Sequence, residues 1–501
     1  MRSYDRIKAV IGGLLLSDGL RAKAMRGGAW LGAGSVSEQA SRFARNMILT
    51  RLLAPSAFGA MAIVMSSSAI VGALTEIAVK SAVIQNPRGG ADAYLNAGWW
   101  MGMGRSLITY VVVFAMAPWV AHFYGIAELS ALLRVTLLSS LFDGAMSPRS
   151  VLAQKEMKLR RWMVITNGGG ICGVILTVVL SFVIRDVWAL AIGFSSENAF
   201  RCLLSYILYP GLPSLGWEQH AIRDLYRFSK QVFGLSFLNL IFSRADVFVL
   251  GKLYSTTALG LYTMGVGLVL TPSTFVTGMY QQLLFPAFSQ VQGDKERVNR
   301  ILIEVTSWLI LLGLPGVVVI YLCGYSLLSV VYGARYVSAA GPLAVAATVV
   351  FFNLMNAAIT CVFTAMGRPA LHRRAVAASA VVMLISVYPA CKILGVVGGQ
   401  VAAFLAILVS YLLQVTRMRQ LTGLDLFRYG RALAPAALVS GGILVAGLGA
   451  RLFGLATRPV VNIAFGAGAC VIAYALCVPV FMRLKQTAQP IGGGKTTEMA
   501  G

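Results

Sequence analysis

Apolar runs of about twenty residues or more follow one another along almost the whole chain, among them 57–84, 95–118, 160–184, 299–324 and 336–366. A run of that length crosses the hydrocarbon core of a bilayer as a helix. The runs are continuous rather than alternating, which excludes a membrane β-barrel. Charge is scarce to match: 12% of the 501 residues are Asp, Glu, Lys or Arg, about half of what a soluble chain carries. The sequence therefore predicts an all-α membrane protein with about fourteen transmembrane helices. The predicted spans are 30–53, 57–84, 95–118, 130–152, 160–184, 187–208, 229–253, 257–284, 299–324, 336–366, 371–392, 396–416, 431–453 and 459–482.

The net charge of +24 would suggest nucleic acid in a soluble protein. Here it follows from where membrane proteins keep their basic residues, in cytoplasmic loops, so no nucleic-acid partner is expected. Lys and Arg in the two terminal segments and every second loop outnumber those in the opposite loops 28 to 7. That asymmetry predicts both termini on the cytoplasmic side. Residues 1–29, with Arg2, Arg6, Lys8, Arg21, Lys23 and Arg26, read as an amphipathic segment on the cytoplasmic surface and not as a signal peptide. Residues 209–228, punctuated by Pro and Gly, read as a cytoplasmic linker, and 483–501 as a flexible cytoplasmic tail.

The linker separates two similar halves. Shifted by 201 positions, RFARNMILTRLLAPSAFGAM (Arg42–Met61) falls on SRADVFVLGKLYSTTALGLY (Ser243–Tyr262). Arg51 then meets Lys252, Ala57 meets Ala258 and Gly59 meets Gly260, while Arg45 meets Asp246. The offset relates spans 1 and 2 to spans 7 and 8. Six is an even number, so the repeats run parallel, related by a pseudo-two-fold axis along the membrane normal. This predicts an N-lobe over 30–208 and a C-lobe over 229–416 around a central cavity, with two extra spans over 431–482.

No enzyme signature is present. His122, His220 and His372 are isolated, and the seven cysteines form no CxxC pair. The tail sequence GGGKTT has Gln489 where a phosphate-binding loop needs glycine. No metal, cofactor or catalytic residue is expected, and any transport would run on an ion gradient or on the cargo's own gradient.

The charges inside the spans are more informative, because arginine at a span centre costs roughly 2.5–3.5 kcal/mol on insertion scales. Arg42 and Arg45 share one helix face, with Glu38 one turn before Arg42. Glu76 and Lys80, like Glu197 and Arg201, have i,i+4 spacing and can neutralise each other. Arg42, Arg45, Arg105 and Arg134 lie in the first lobe, whereas the second adds only Arg244 within a span. A wall of such cations suits a phosphate or pyrophosphate headgroup, and these five are the candidate headgroup ligands. Asp246 is the mid-membrane acid of the second lobe. It could hold a coupling proton or Na⁺, or latch the lobes by pairing with Arg45; Glu38, Glu76 and Lys80 join it as candidate coupling or latch residues. Pro272 and Pro315 are expected to kink their helices.

The frames RLLAPSAFGAMAI, GKLYSTTALGLYTM and LLFPAFSQVQGDKERV resemble the polysaccharide transporter (Wzx-type) branch of the multidrug/oligosaccharidyl-lipid/polysaccharide flippase superfamily. The likeness extends over nearly the whole chain and is strongest over 40–85 and 235–300. It implies two six-helix lobes that move an undecaprenyl-pyrophosphate-linked oligosaccharide across the bacterial inner membrane through a cationic lumen. Candidate protein partners are a polysaccharide polymerase and co-polymerase. A lipid II flippase and a cation-coupled drug antiporter of the same superfamily are the alternative readings. The family has no rigid motif, so the nominated residues rest on charge and depth in this sequence.

Overall fold

The computed structural model describes residues 20–75, 79–156, 158–214, 218–229, 235–431, 433–452, 459–468 and 471. Among these residues the chain is helical with no strand. The first half runs α1 (Leu20–Leu52), α2 (Pro55–Leu74), α3 (Val79–Gln85), α4 (Asp92–Tyr124), α5 (Glu128–Thr136), α6 (Leu138–Gly144), α7 (Leu152–Lys155), α8 (Leu159–Met163), α9 (Gly169–Val183) and α10 (Val187–Leu208). A linker helix, α11 (Gln219–Ser229), precedes the second half. There follow α12 (Leu235–Leu253), α13 (Thr256–Gln290), α14 (Lys295–Val331), α15 (Ala340–Ala365), α16 (Pro369–Leu394), α17 (Gly398–Thr422), α18 (Leu426–Arg431) and α19 (Leu433–Leu452).

Local chemistry sets the ends of these helices. Pro55 opens α2, where its missing N–H is no loss. At the equivalent point of the second half, the Ser255 hydroxyl accepts from the Ala258 N–H and caps α13. Asp186 and Asp294 cap α10 and α14 in the same way. Gly125 ends α4 with φ 71°, a left-handed turn that suits glycine. Helices α13 and α14 continue through Pro272 and Pro315, so neither proline ends its helix.

Among the described residues, eight helical segments are long and apolar enough to cross a membrane. A ninth results if Glu128–Gly144 and Pro148–Lys155, bent by 72°, form one broken span. Of the other predicted spans, 30–53 falls on α1 and 229–253 on α12, helices that carry Arg42 and Arg45 and Arg244 and Asp246. Two further predicted spans, in α16 and α17, run on through a short turn at Gly395–Val397. The N-terminal surface segment lies mostly outside the described residues; from Leu20 its last part is continuous with α1. The tail 483–501 and most of 459–482 also lie outside them.

The 201-residue offset has a counterpart in packing. Helices α2 and α13 cross with Gly59 against Gly260. A Cβ built on Gly59 would stand 2.9 Å from the Gly260 nitrogen and closer still to the Thr256 carbonyl. Built on Gly260, it would stand 3.0 Å from the Gly59 nitrogen and closer still to the Pro55 carbonyl. Pro55 and Thr256 are themselves 201 positions apart, so the contact is reciprocal. Leu49, Leu53, Phe58 and Ile63 of the first half share one buried cluster with Leu250, Leu259, Tyr262 and Tyr336 of the second. The Phe58 and Tyr336 rings meet edge-on at 6.4 Å. The linker is not free: α11 buries Ala221 and Leu225 against Val79, Val83, Tyr94 and Leu95.

Candidate functional site

The charges of the first half of the chain are brought to separate places. In the first, α10 packs against α9 across glycines. A Cβ on Gly173 would lie 2.7 Å from the Glu197 Cα, and one on Gly169 would lie 2.7 Å from the Arg201 nitrogen. That approach seats Glu197, only 3% exposed, beneath α1. Asn167 ties the same region to α1 by donating to the Gly34 carbonyl at 2.7 Å. Glu197 Oε1 then accepts from Arg42 Nη2 and from Arg201 Nη2, each at 2.7 Å. Glu38 Oε1 accepts from Arg42 at 3.1 Å and lies 3.5 Å from Arg201.

Two expected i,i+4 pairs, Glu38–Arg42 and Glu197–Arg201, thus fuse into one group of two acids and two bases. This changes the reading of Arg42. Its guanidinium is shared by two carboxylates, and the group as a whole carries no net charge. Arg45, three residues further along α1, is different. Its Nε and Nη2 meet the Asn46 side-chain oxygen at 3.3 Å, and among the described residues it forms no ion pair with a carboxylate. It is a half-buried cation standing beside a neutral network.

A second place is a cavity of about 480 Å³ between α3, α4 and α6. Lys80, Trp99, Arg105, Ser106, Asp143 and Ser147 are among its lining residues. Arg105 Nη2 donates to the Gly72 carbonyl at 3.4 Å. Lys80 pairs with Asp143 at 2.9 Å; Glu76, the partner its spacing suggests, lies outside the described residues. Tertiary packing offers Lys80 this acid across the cavity. The volume is in the range of small-ligand sites, and the lining combines two cations, one acid, hydroxyls and an indole. Sequence reasoning missed Asp143, although it is the lone acid in 130–152.

Arg134 joins neither group. Its guanidinium lies 4.3 Å from the centre of the Phe114 ring, so the aromatic face partly satisfies its charge. Arg244 is exposed on α12. The five nominated cations therefore do not form one continuous wall: only Arg42 and Arg45 are neighbours on one helix.

Asp246 is buried in the second half. Its Oδ1 accepts from the Val247 N–H at 2.8 Å. Its Oδ2 accepts from the Tyr262 hydroxyl and from Gln400 Nε2, the latter at 3.4 Å, and Gln400 also donates to the Tyr262 oxygen at 2.6 Å. The predicted pairing with Arg45 is absent here, because α12 turns this carboxylate toward α13 and α17. Tyr262 and Gln400 are neutral donors with no charge signature in the sequence.

Comparison with known proteins bears on this geometry. Residues 48–341 match the family described as polysaccharide biosynthesis protein. The lipopolysaccharide biosynthesis protein WzxC of Escherichia coli (strain K12) is 20% identical over 63% of this chain and 65% of its own length. The succinoglycan biosynthesis transport protein ExoT of Rhizobium meliloti (strain 1021) is 22% identical over 59% and 60%. The chain thus spans about six tenths of the length of the curated relatives it matches. Among solved structures, the lipid II flippase MurJ in an inward closed conformation superposes with a TM-score of 0.72 at 12% identity, covering 91% of this chain and 99% of that one. At that identity the likeness establishes the fold.

Proposed function

The chain belongs to the polysaccharide biosynthesis protein family, and on that footing we propose that it is a flippase for an undecaprenyl-pyrophosphate-linked oligosaccharide. It turns this lipid from the cytoplasmic to the periplasmic leaflet of the bacterial inner membrane, for exopolysaccharide, O-antigen or capsule synthesis. Fourteen spans, with both termini cytoplasmic, carry two six-helix lobes that alternate in access. The observation that carries the reading is Arg45. An arginine within the membrane is expensive, and the adjacent Glu38–Arg42–Glu197–Arg201 group is already neutral. A cation left over in such a place suits a ligand anion, and a guanidinium grips pyrophosphate through its planar fork. Lys80 and Arg105 line a separate cavity, where Trp99 offers an aromatic face suited to sugars. The experiment that tests the function is deletion of the gene, followed by locating the lipid-linked glycan in one leaflet or the other.

Asp246 is the coupling residue in this reading. A buried carboxylate held only by neutral donors is poised to take up a proton or a Na⁺ ion, and its uptake and release follow the lobe's conformation. Asp246→Asn keeps the shape and the contact with Tyr262 but removes the ionisable group. Transport by this variant is expected to lose its dependence on the ion gradient while headgroup binding persists. Gradient dependence equal to that of the wild type would remove Asp246 from the coupling scheme.

A further inference from the structure

Two hydrogen bonds cross between the repeats in reciprocal fashion. Arg51, in the last turn of α1, donates from Nη2 to the Val330 carbonyl at 3.3 Å. Lys252, in the last turn of α12, donates to the Phe123 carbonyl. Arg51 and Lys252 are the 201-residue equivalents of each other. Their acceptors match as well, since Phe123 and Val330 are the penultimate residues of α4 and α14. The last carbonyls of a helix lack partners within it and carry the negative end of its dipole. Each lobe thus caps a helix C-terminus of the other with a cation. Lys252 Nζ also lies 4.6 Å from the centre of the Phe123 ring.

These bonds lie at the same end of the bundle as the Gly59–Gly260 crossing, because α2 and α13 begin within four residues of the two cations. The edge-on contact of Phe58 with Tyr336 adds to that seam. Both cations are exposed, so water competes for each bond and each is breakable.

We propose that Arg51 and Lys252 are paired clasps holding one mouth of the transport path shut, with the Gly59–Gly260 crossing as the pivot on which the lobes turn. Naming this mouth the exit rests on the export reading above. Both residues are positioning residues: they touch the opposite lobe and not the cargo. Their bonds break once per cycle, and the two-fold arrangement makes them break together. Their strength sets the fraction of time the mouth stands open.

The test uses the full-length protein in a background lacking its native cysteines, with Ala57→Cys placed in the buried seam as reporter. A membrane-impermeant maleimide is applied to intact cells. Arg51→Gln or Lys252→Gln is expected to raise the labelling rate about two- to fivefold, as loss of one charge–helix-end contact implies. The double variant should raise it by roughly the product of the two, about four- to twenty-fivefold. Arg51→Lys keeps a cation and should label near the parent rate, at equal abundance in every variant. If a variant fails to accumulate, the other single substitution carries the comparison. Unchanged labelling in well-expressed variants would overturn the clasp, as would equal effects of Arg51→Gln and Arg51→Lys. A rise seen only in inside-out vesicles would uphold the clasp and overturn the export orientation.

Discussion

Arg45→Ala is expected to abolish export of the glycan, with loss of at least a hundredfold in flux, while the protein remains at near-normal abundance in the membrane. The expectation follows from what Arg45 does not touch. Its hydrogen bonds are to the neighbouring Asn46, and among the described residues it forms no ion pair with a carboxylate. Removing it leaves no buried anion unpaired. What disappears is the charge available to the headgroup, and a lost charge-assisted pair of hydrogen bonds in a protected site costs about 3 kcal/mol or more. Arg45→Lys should restore only part of the flux, since an ammonium is a point charge and not a fork. Complementation of a deletion strain, scored for surface polymer and protein level together, gives the answer. A fall in abundance parallel to the fall in flux would assign Arg45 to the fold instead.

Glu197→Ala should do the opposite and damage the protein itself. Glu197 is buried, and it receives both Arg42 and Arg201 at 2.7 Å. Without it two guanidinium groups share the half-buried Glu38, and breaking a buried ion pair on one side costs about 3–5 kcal/mol. The folded fraction and the melting temperature of the purified protein are expected to drop sharply, with Glu197→Gln falling between. Arg42→Ala belongs to the same class, because it strips one of two partners from a buried carboxylate. A Glu197→Ala protein as abundant and as heat-stable as the wild type would show that the network does not hold α1 to α10.

The contrast between Arg42 and Arg45 was only half visible in the sequence. Spacing alone places Glu38 with Arg42 and Glu197 with Arg201, since residues four apart share a helix face. That the two pairs merge depends on a tertiary event, the approach of α10 to α9 over Gly169 and Gly173, which no local pattern encodes. The partner of Lys80 across the cavity was hidden for the same reason: Asp143 is 63 residues away, and only packing brings it to 2.9 Å. Asp246 is conspicuous as an acid in an apolar run, yet its partner Gln400 lies 154 residues away and carries no charge. The repeat was far more legible. Gly59 and Gly260 fall on each other at the 201-residue offset and do meet in space, because glycine at a helix crossing leaves a mark in both copies.

The most direct measurement of the central claim is the leaflet in which the lipid-linked glycan resides once the gene is deleted. Oligosaccharide on the periplasmic face is open to a glycosidase or periodate that cannot cross the inner membrane, and oligosaccharide on the cytoplasmic face is protected. Deletion is expected to leave the intermediate intact, accumulated and protected; the wild-type gene should return it to the accessible leaflet, and the Arg45→Ala gene should not. Glycan that remains accessible in the deletion strain, with surface polymer unchanged, would contradict the proposed function.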